Sequence, residues 1–124
     1  MQYLLLIYDT EKQFETITDS ARQKIYHEYG ELIQDLQENG KYKAGHQLQS
    51  IATATTVRIR NGKQAVTDGP FAETKEQLGG FFLVEAKDAD EALAIAARIP
   101  SARTGSIEIR PVVLPQQHET RRAS

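Results

Sequence analysis

Apolar residues crowd two stretches of this chain without regard to parity. From Gln2 to Tyr8 nearly every position is apolar, and Phe81 to Val84 is apolar throughout. A strand with one wet face alternates, so these runs predict strands covered on both faces. Elsewhere the spacing is helical. Ile25, Tyr29, Leu32 and Leu36 recur at four, three and four residues, with Ile33 alongside, which is one apolar stripe of a helix. Ser20 and Gln23 give that helix a capping-box start, and Asn39-Gly40 gives it an end. Asp88 and Glu91 repeat the capping spacing before a second helix. Its apolar side is Ala92, Leu93, Ala96 and Ile99, and Pro100 stops it.

The remaining segments alternate or turn. Thr55, Val57 and Ile59 interleave with Thr56, Arg58 and Arg60, predicting a strand from Thr53 to Arg60. Asn61-Gly62 is a two-residue hairpin signal, and Lys63 to Thr67 returns as the partner strand. Lys41 to Leu48 predicts a strand around Ala44-Gly45-His46. Ile107 and Ile109, set against Glu108 and Arg110, predict a last strand ending near Val113. Thr10 to Asp19 reads as a polar connection, and Ser101 to Gly105 as a turn. Asp68 to Gly80 reads as a long charged loop around one buried aromatic, Phe71.

The order is βαβ, hairpin, βαβ. It predicts an α+β ferredoxin-like sandwich with an inserted β-hairpin and both helices on one face of the sheet. The other face holds the second parity of the doubly apolar strands. A homodimer with its sheets face to face would cover it. A pocket is then expected between that face and the Asp68–Gly80 loop.

Composition narrows the function classes. The 124 residues include 15 basic and 17 acidic side chains, for a formal charge of −2. Evenly mixed charges give no electrostatic reason for nucleic-acid binding. Absence of cysteine excludes disulfides and thiolate metal sites and fits a reducing cytoplasm. The apolar start is too short to span a bilayer and lacks the basic leader of a signal peptide, so no membrane association is expected. Residues 1–114 are read as one domain. Residues 115–124 are read as a loose tail, expected to be disordered.

Chemistry concentrates at a few positions. His46, on a strand expected to border the cleft, suits a general base oriented by Asp68 or Glu73; the alternative is a structural or exposed imidazole. Asp68 also suits a turn-fixing role before Gly69-Pro70. Glu73, Lys75 and Glu76 suit either a polar or anionic ligand or ion pairs with Arg58, Arg103 or Arg110. Tyr8 and Arg110 are further ligand candidates, with dimer-rim packing for Tyr8 and a pair with Glu108 for Arg110 as the structural alternatives. His27, His46 and His118 share no metal-ligand spacing. No phosphate-cradling glycine loop precedes a helix and no serine nucleophile elbow is present, so neither a metal nor a cofactor is expected.

Asp68-Gly69-Pro70-Phe71-Ala72-Glu73-Thr74-Lys75-Glu76 resembles the signature of the DGPF (DGPFAETKE) proteins, a branch of the YCII-related family. The likeness extends to Tyr3–Tyr8, to Ala54-Thr55-Thr56-Val57-Arg58 and to Ile107-Glu108-Ile109-Arg110-Pro111-Val112. It implies a dimeric α+β barrel but no single activity. A His–Asp pair in a cleft suggests enzymes among the relatives, and an association with extracytoplasmic-function sigma factors suggests a regulatory setting for this branch. The first-helix histidine of the wider family falls near Glu28 here, with His27 beside it, so that dyad does not carry over. Two functions follow as expectations. One is a cytoplasmic homodimer that binds a small polar molecule, with isomerase- or lyase-like proton transfer. The other is a non-enzymatic interaction module.

Overall fold

The computed structural model describes residues 1–115. The tail beyond them, with His118, lies outside the described residues. The strands are β1 (Gln2–Asp9), β2 (Tyr42–Gln47), β3 (Thr55–Arg60), β4 (Lys63–Asp68), β5 (Gln77–Glu85) and β6 (Ser106–Pro111). The helices are α1 (Glu11–Thr16), α2 (Asp19–Glu38) and α3 (Ala89–Ala97). Single 3₁₀ turns occupy Ile51–Thr53 and Pro100–Arg103.

β2, β5, β1 and β6 form one sheet in that order, and each neighbouring pair is antiparallel. With the two βαβ halves interleaved in this way, the architecture is the expected ferredoxin-like α+β sandwich. β3 and β4 form a separate ribbon between β2 and β5. Its turn residues Asn61 and Gly62 both have positive φ, at 53° and 74°, the geometry that joins two strands through two residues without splaying them.

The core lies on one face of the sheet. Tyr3, Leu5 and Ile7 of β1 and Phe82 and Val84 of β5 are buried against Leu32 and Leu36 of α2 and Ala92, Ile95, Ala96 and Ile99 from α3 and its end. Leu5, Leu36, Val84 and Ile99 are sealed from solvent almost completely. The opposite parity of the same strands, Leu4, Leu6, Phe81 and Leu83, shares the other face and is half-buried. Among the described residues no helix is long and apolar enough to cross a membrane.

Five local expectations are corrected. The segment before α2 holds a further helix, α1, and the cap of α2 is Thr18, whose hydroxyl accepts the Ala21 N–H at 3.1 Å. The charged loop is shorter: β5 starts at Gln77 and runs through the Gly pair, with a bulge at Ile7/Tyr8 opposite Gly79, so the connection is 69–76. Phe71 is not buried but 79% exposed. On α3 the inward residue is Ile95 and not Leu93, because the stripe from Ala92 recurs at three, four and seven residues.

Candidate functional site

The helix face of the sheet is not packed along its whole length. Toward the Asp9 end of β1, α2 stands off the sheet and leaves a cavity of about 380 Å³. Its walls are Ile7 and Phe82 from the sheet, Ile25, Tyr29 and Ile33 from α2, and Phe14 from α1. The α2 stripe therefore divides. Leu32 and Leu36 enter the core, whereas Ile25, Tyr29 and Ile33 are only partly buried because they line a space.

One end of the cavity is polar. Asp9 ends β1, and the antiparallel pairing of β1 with β6 brings the Ser101–Thr104 turn beside it. The Asp9 carboxylate accepts the Thr10 N–H at 2.9 Å and the Thr104 hydroxyl at 2.7 Å. Tyr29 reaches the same turn, its hydroxyl 2.7 Å from Ser101 Oγ. Burial pushes the Tyr29 phenol above its usual range. The Ser101 hydrogen bonds pull it back, the Asp9 charge raises it further, and Arg103 lowers it. Tyr29 thus stays a protonated donor beside a carboxylate acceptor. Arg103, at the rim, is held by Glu28 at 2.8 Å.

α1 roofs the cavity by polar clasps, since none of its residues is buried. The Glu11 N–H donates to Gln77 Oε1 at 3.0 Å, and the Glu11 carboxylate accepts from Ser50 Oγ at 3.0 Å and from the Ile51 N–H at 2.8 Å. At the far end Arg22 donates to the Phe14 carbonyl at 3.2 Å and stacks over the Phe14 ring at 5.3 Å.

The residues singled out in the sequence disperse over both faces. His46 borders the cavity, but its register partner is Phe81 and its exposed ring lies 5.8 Å from that ring. Among the described residues no carboxylate is bonded to it. Asp68 ends β4 opposite Thr55, away from the lining; the turn after it is tied by the Gly69 N–H to the Ala54 carbonyl at 2.7 Å. Glu73 and Lys75 are exposed and outside the lining. Glu76 accepts from Ser106 Oγ at 2.8 Å. The hydroxyl of Thr74 bonds the Glu76 carbonyl, which closes the loop on itself. Tyr8 and Arg110 share the open face. The Tyr8 hydroxyl donates to Glu108 at 3.4 Å, and burial, followed by the Glu108 charge, raises the phenol. The cavity therefore opens on the helix side of the sheet and touches the Asp68–Gly80 stretch only at its end, at Gln77, Gly79 and Gly80, past the signature run.

Sequence reasoning does not mark Asp9, Tyr29, Ser101 and Thr104 as a site. The signal available is positional: a carboxylate closing a buried central strand, beside the turn that feeds the neighbouring strand. Among the described residues no three His, Asp or Glu side chains gather as a metal site.

Comparison with known proteins places this geometry in context. The family model of the YCII-related domain matches residues 1–115. An uncharacterized protein of Rhizobium meliloti (strain 1021) is 35% identical over 116 residues, covering 92% of this chain and 94% of the relative. Among solved structures, 5-chloro-2-hydroxyhydroquinone dehydrochlorinase from Burkholderia phenoliruptrix AC1100, in complex with 2,5-dihydroxybenzoquinone, superposes with a TM-score of 0.55 at 15% identity. That match covers 94% of this chain and 97% of the dehydrochlorinase, and it shows a shared fold.

Proposed function

The chain belongs to the YCII-related family, and we propose that it binds a small ring-shaped molecule in the cavity between α2 and the sheet and moves a proton on it, as a lyase or isomerase does. The observation that carries this is a cavity with aromatic and aliphatic walls and an acceptor–donor pair, Asp9 and Tyr29, at one end. Its volume of about 380 Å³ lies at the small end of ligand pockets, about 300–1,000 Å³. Asp9 takes a proton from the bound molecule, and the Tyr29 hydroxyl hydrogen-bonds the oxyanion that develops. The fold neighbour is by name a dehydrochlorinase of a hydroxylated ring, a lyase-type reaction that supports the same class here. His46 with Asp68 has less support, because among the described residues no carboxylate is bonded to that ring.

Amide NMR titration with a series of one-ring hydroxylated compounds, 2,5-dihydroxybenzoquinone among them, tests the reading. Shifts are expected at 7–14, 25–33, 77–82 and 100–104. Shifts confined to Tyr8, Glu76 and Arg110 would move the site to the open face, and none at all would end the proposal.

We also propose a cytoplasmic homodimer joined through the Leu4, Leu6, Phe81 and Leu83 face, since an apolar sheet face of this size needs a cover. Leu6→Lys is expected to halve the mass in sedimentation with an unchanged far-UV spectrum. An unaltered dimer mass would place the interface elsewhere.

A second reading, an interaction module, is favoured by the hairpin. Val57 and Val66 face each other in register and remain about 60% exposed, with Ile59 beside them. The sigma-factor link implied by the DGPF-like run suits such a surface. Co-elution of a purified extracytoplasmic-function sigma factor, lost in Val57→Lys, would support it; failure to co-elute would count against it.

A further inference from the structure

We infer that the molecule this cavity selects is an uncharged ring that donates O–H groups, and that ring carboxylates are rejected. This rests on the cavity reading above and adds its chemical preference.

The walls set the shape. Phe14 and Tyr26 meet edge to face at 6.1 Å and 82°, and Tyr29 and Phe82 at 6.1 Å and 75°. Rings fixed in this way leave apolar faces and edges that suit a flat ring better than an extended chain.

The polar groups set the sign. At the polar end several donors are already committed. The Gln77 amide donates to the Thr74 carbonyl at 2.8 Å, and its oxygen already accepts from Glu11. The Thr104 hydroxyl donates to Asp9. Tyr29 and Ser101 share one hydrogen bond, which leaves a single O–H between them for a ligand oxygen. Arg103 is turned to Glu28 and is largely in solvent. Acceptor capacity remains: each Asp9 oxygen receives one hydrogen bond and has room for a second. An O–H group completes that site, whereas a carboxylate brings only more acceptors.

Net charge acts in the same direction. Asp9, Glu11 and Glu15 line the space against the single guanidinium of Arg103. An anion entering an apolar-walled site meets uncompensated repulsion, which is stronger there than in water.

The experiment compares hydroquinone with its ring carboxylate, 2,5-dihydroxybenzoate, which presents the same two hydroxyls. Calorimetry on the full chain is expected to show the diol binding at least about ten-fold more tightly, on the scale of one unfavourable charge contact. Asp9→Asn is expected to narrow that gap by weakening the diol and admitting the carboxylate. Equal or tighter binding of the carboxylate would overturn the inference and leave the cavity reading standing, and loss of that binding in Arg103→Gln would identify Arg103 as the anion site. Binding of neither compound, together with an empty NMR series, would overturn both. The wild-type comparison decides the matter even if Asp9→Asn folds poorly.

Discussion

Alanine at position 105 is expected to lower the stability of this protein by about 3 kcal/mol or more, at the upper end of overpacking costs. A Cβ built on Gly105 would overlap the Tyr8 carbonyl oxygen and lie 2.9 Å from Asp9 Cα and 3.0 Å from the Tyr8 carbonyl carbon. All three are main-chain atoms of the central strand, so no side chain can turn aside to make room. Either β1 shifts, with its pairings to β5 and β6, or the Ser101–Gly105 turn lifts and breaks its 2.7 Å hydrogen bond from the Gly105 N–H to the Ser101 carbonyl. Thermal unfolding should show a Tm lower by on the order of 10 °C. The same displacement would pull Thr104 from Asp9, so ligand binding should fall even at temperatures where the variant is folded. Gly30→Ala is the control. It lies within α2 with nothing within 4 Å of its would-be Cβ, and alanine there should stabilise by up to about 1 kcal/mol. A Gly105→Ala protein with wild-type Tm would mean that the turn and strand are not in contact as described.

Most of this fold is legible in the periodicity of the chain. The α2 stripe, the Asp88 cap, the Asn61-Gly62 turn and the two-sided apolar strands each reflect a local rule that the tertiary structure leaves intact. The failures have physical causes. α1 is six residues with one large apolar side chain, Phe14, too short to show a stripe. Gly79 and Gly80 have the character of loop residues, yet an antiparallel partner on each side and a bulge hold them in β5. Gly80 leaves only 2.7 Å between its would-be Cβ and the His46 carbonyl, a closeness of strands that no pattern announces. The site is harder still to read. Ile25, Tyr29 and Ile33 have the same spacing whether the helix packs down or stands off, so a stripe cannot reveal a cavity. The signature run draws attention to Asp68 and Glu73 because charge is dense there, but density of charge marks solvent as readily as chemistry. Strand parity is the usable clue: it assigns Tyr8, His46 and Arg110 to one face, and Ile7, Gly45 and Gln47 to the face that lines the cavity.

Once a ring compound that is turned over is in hand, Asp9→Asn is expected to reduce kcat by about a hundred- to ten-thousand-fold, the range spanned by removal of a general base. Asparagine keeps the shape: its Oδ1 can accept from Thr10 and its amide can donate to the Thr104 hydroxyl, so the fold should change little while the proton acceptor is lost and KM rises with the weaker hold on the ring's O–H. Tyr29→Phe should leave substrate bound but remove the donor to the developing oxyanion, at a cost of about a hundred- to a thousand-fold in kcat. The two variants differ in their pH profiles. Burial and the Asp9 charge raise the Tyr29 phenol, so its active form, the protonated one, persists through neutrality and is lost only as pH rises past the ordinary phenol range. The wild-type rate should therefore fall on the alkaline side above that range, and Tyr29→Phe should abolish that fall while keeping a low, flat rate. His46→Ala separates this assignment from the one read in the sequence, because its ring packs on Phe81 and is bonded to no carboxylate among the described residues. Its kcat should stay within a few-fold of wild type. Loss of turnover in His46→Ala with full activity in Asp9→Asn would place the chemistry on the other face of the sheet.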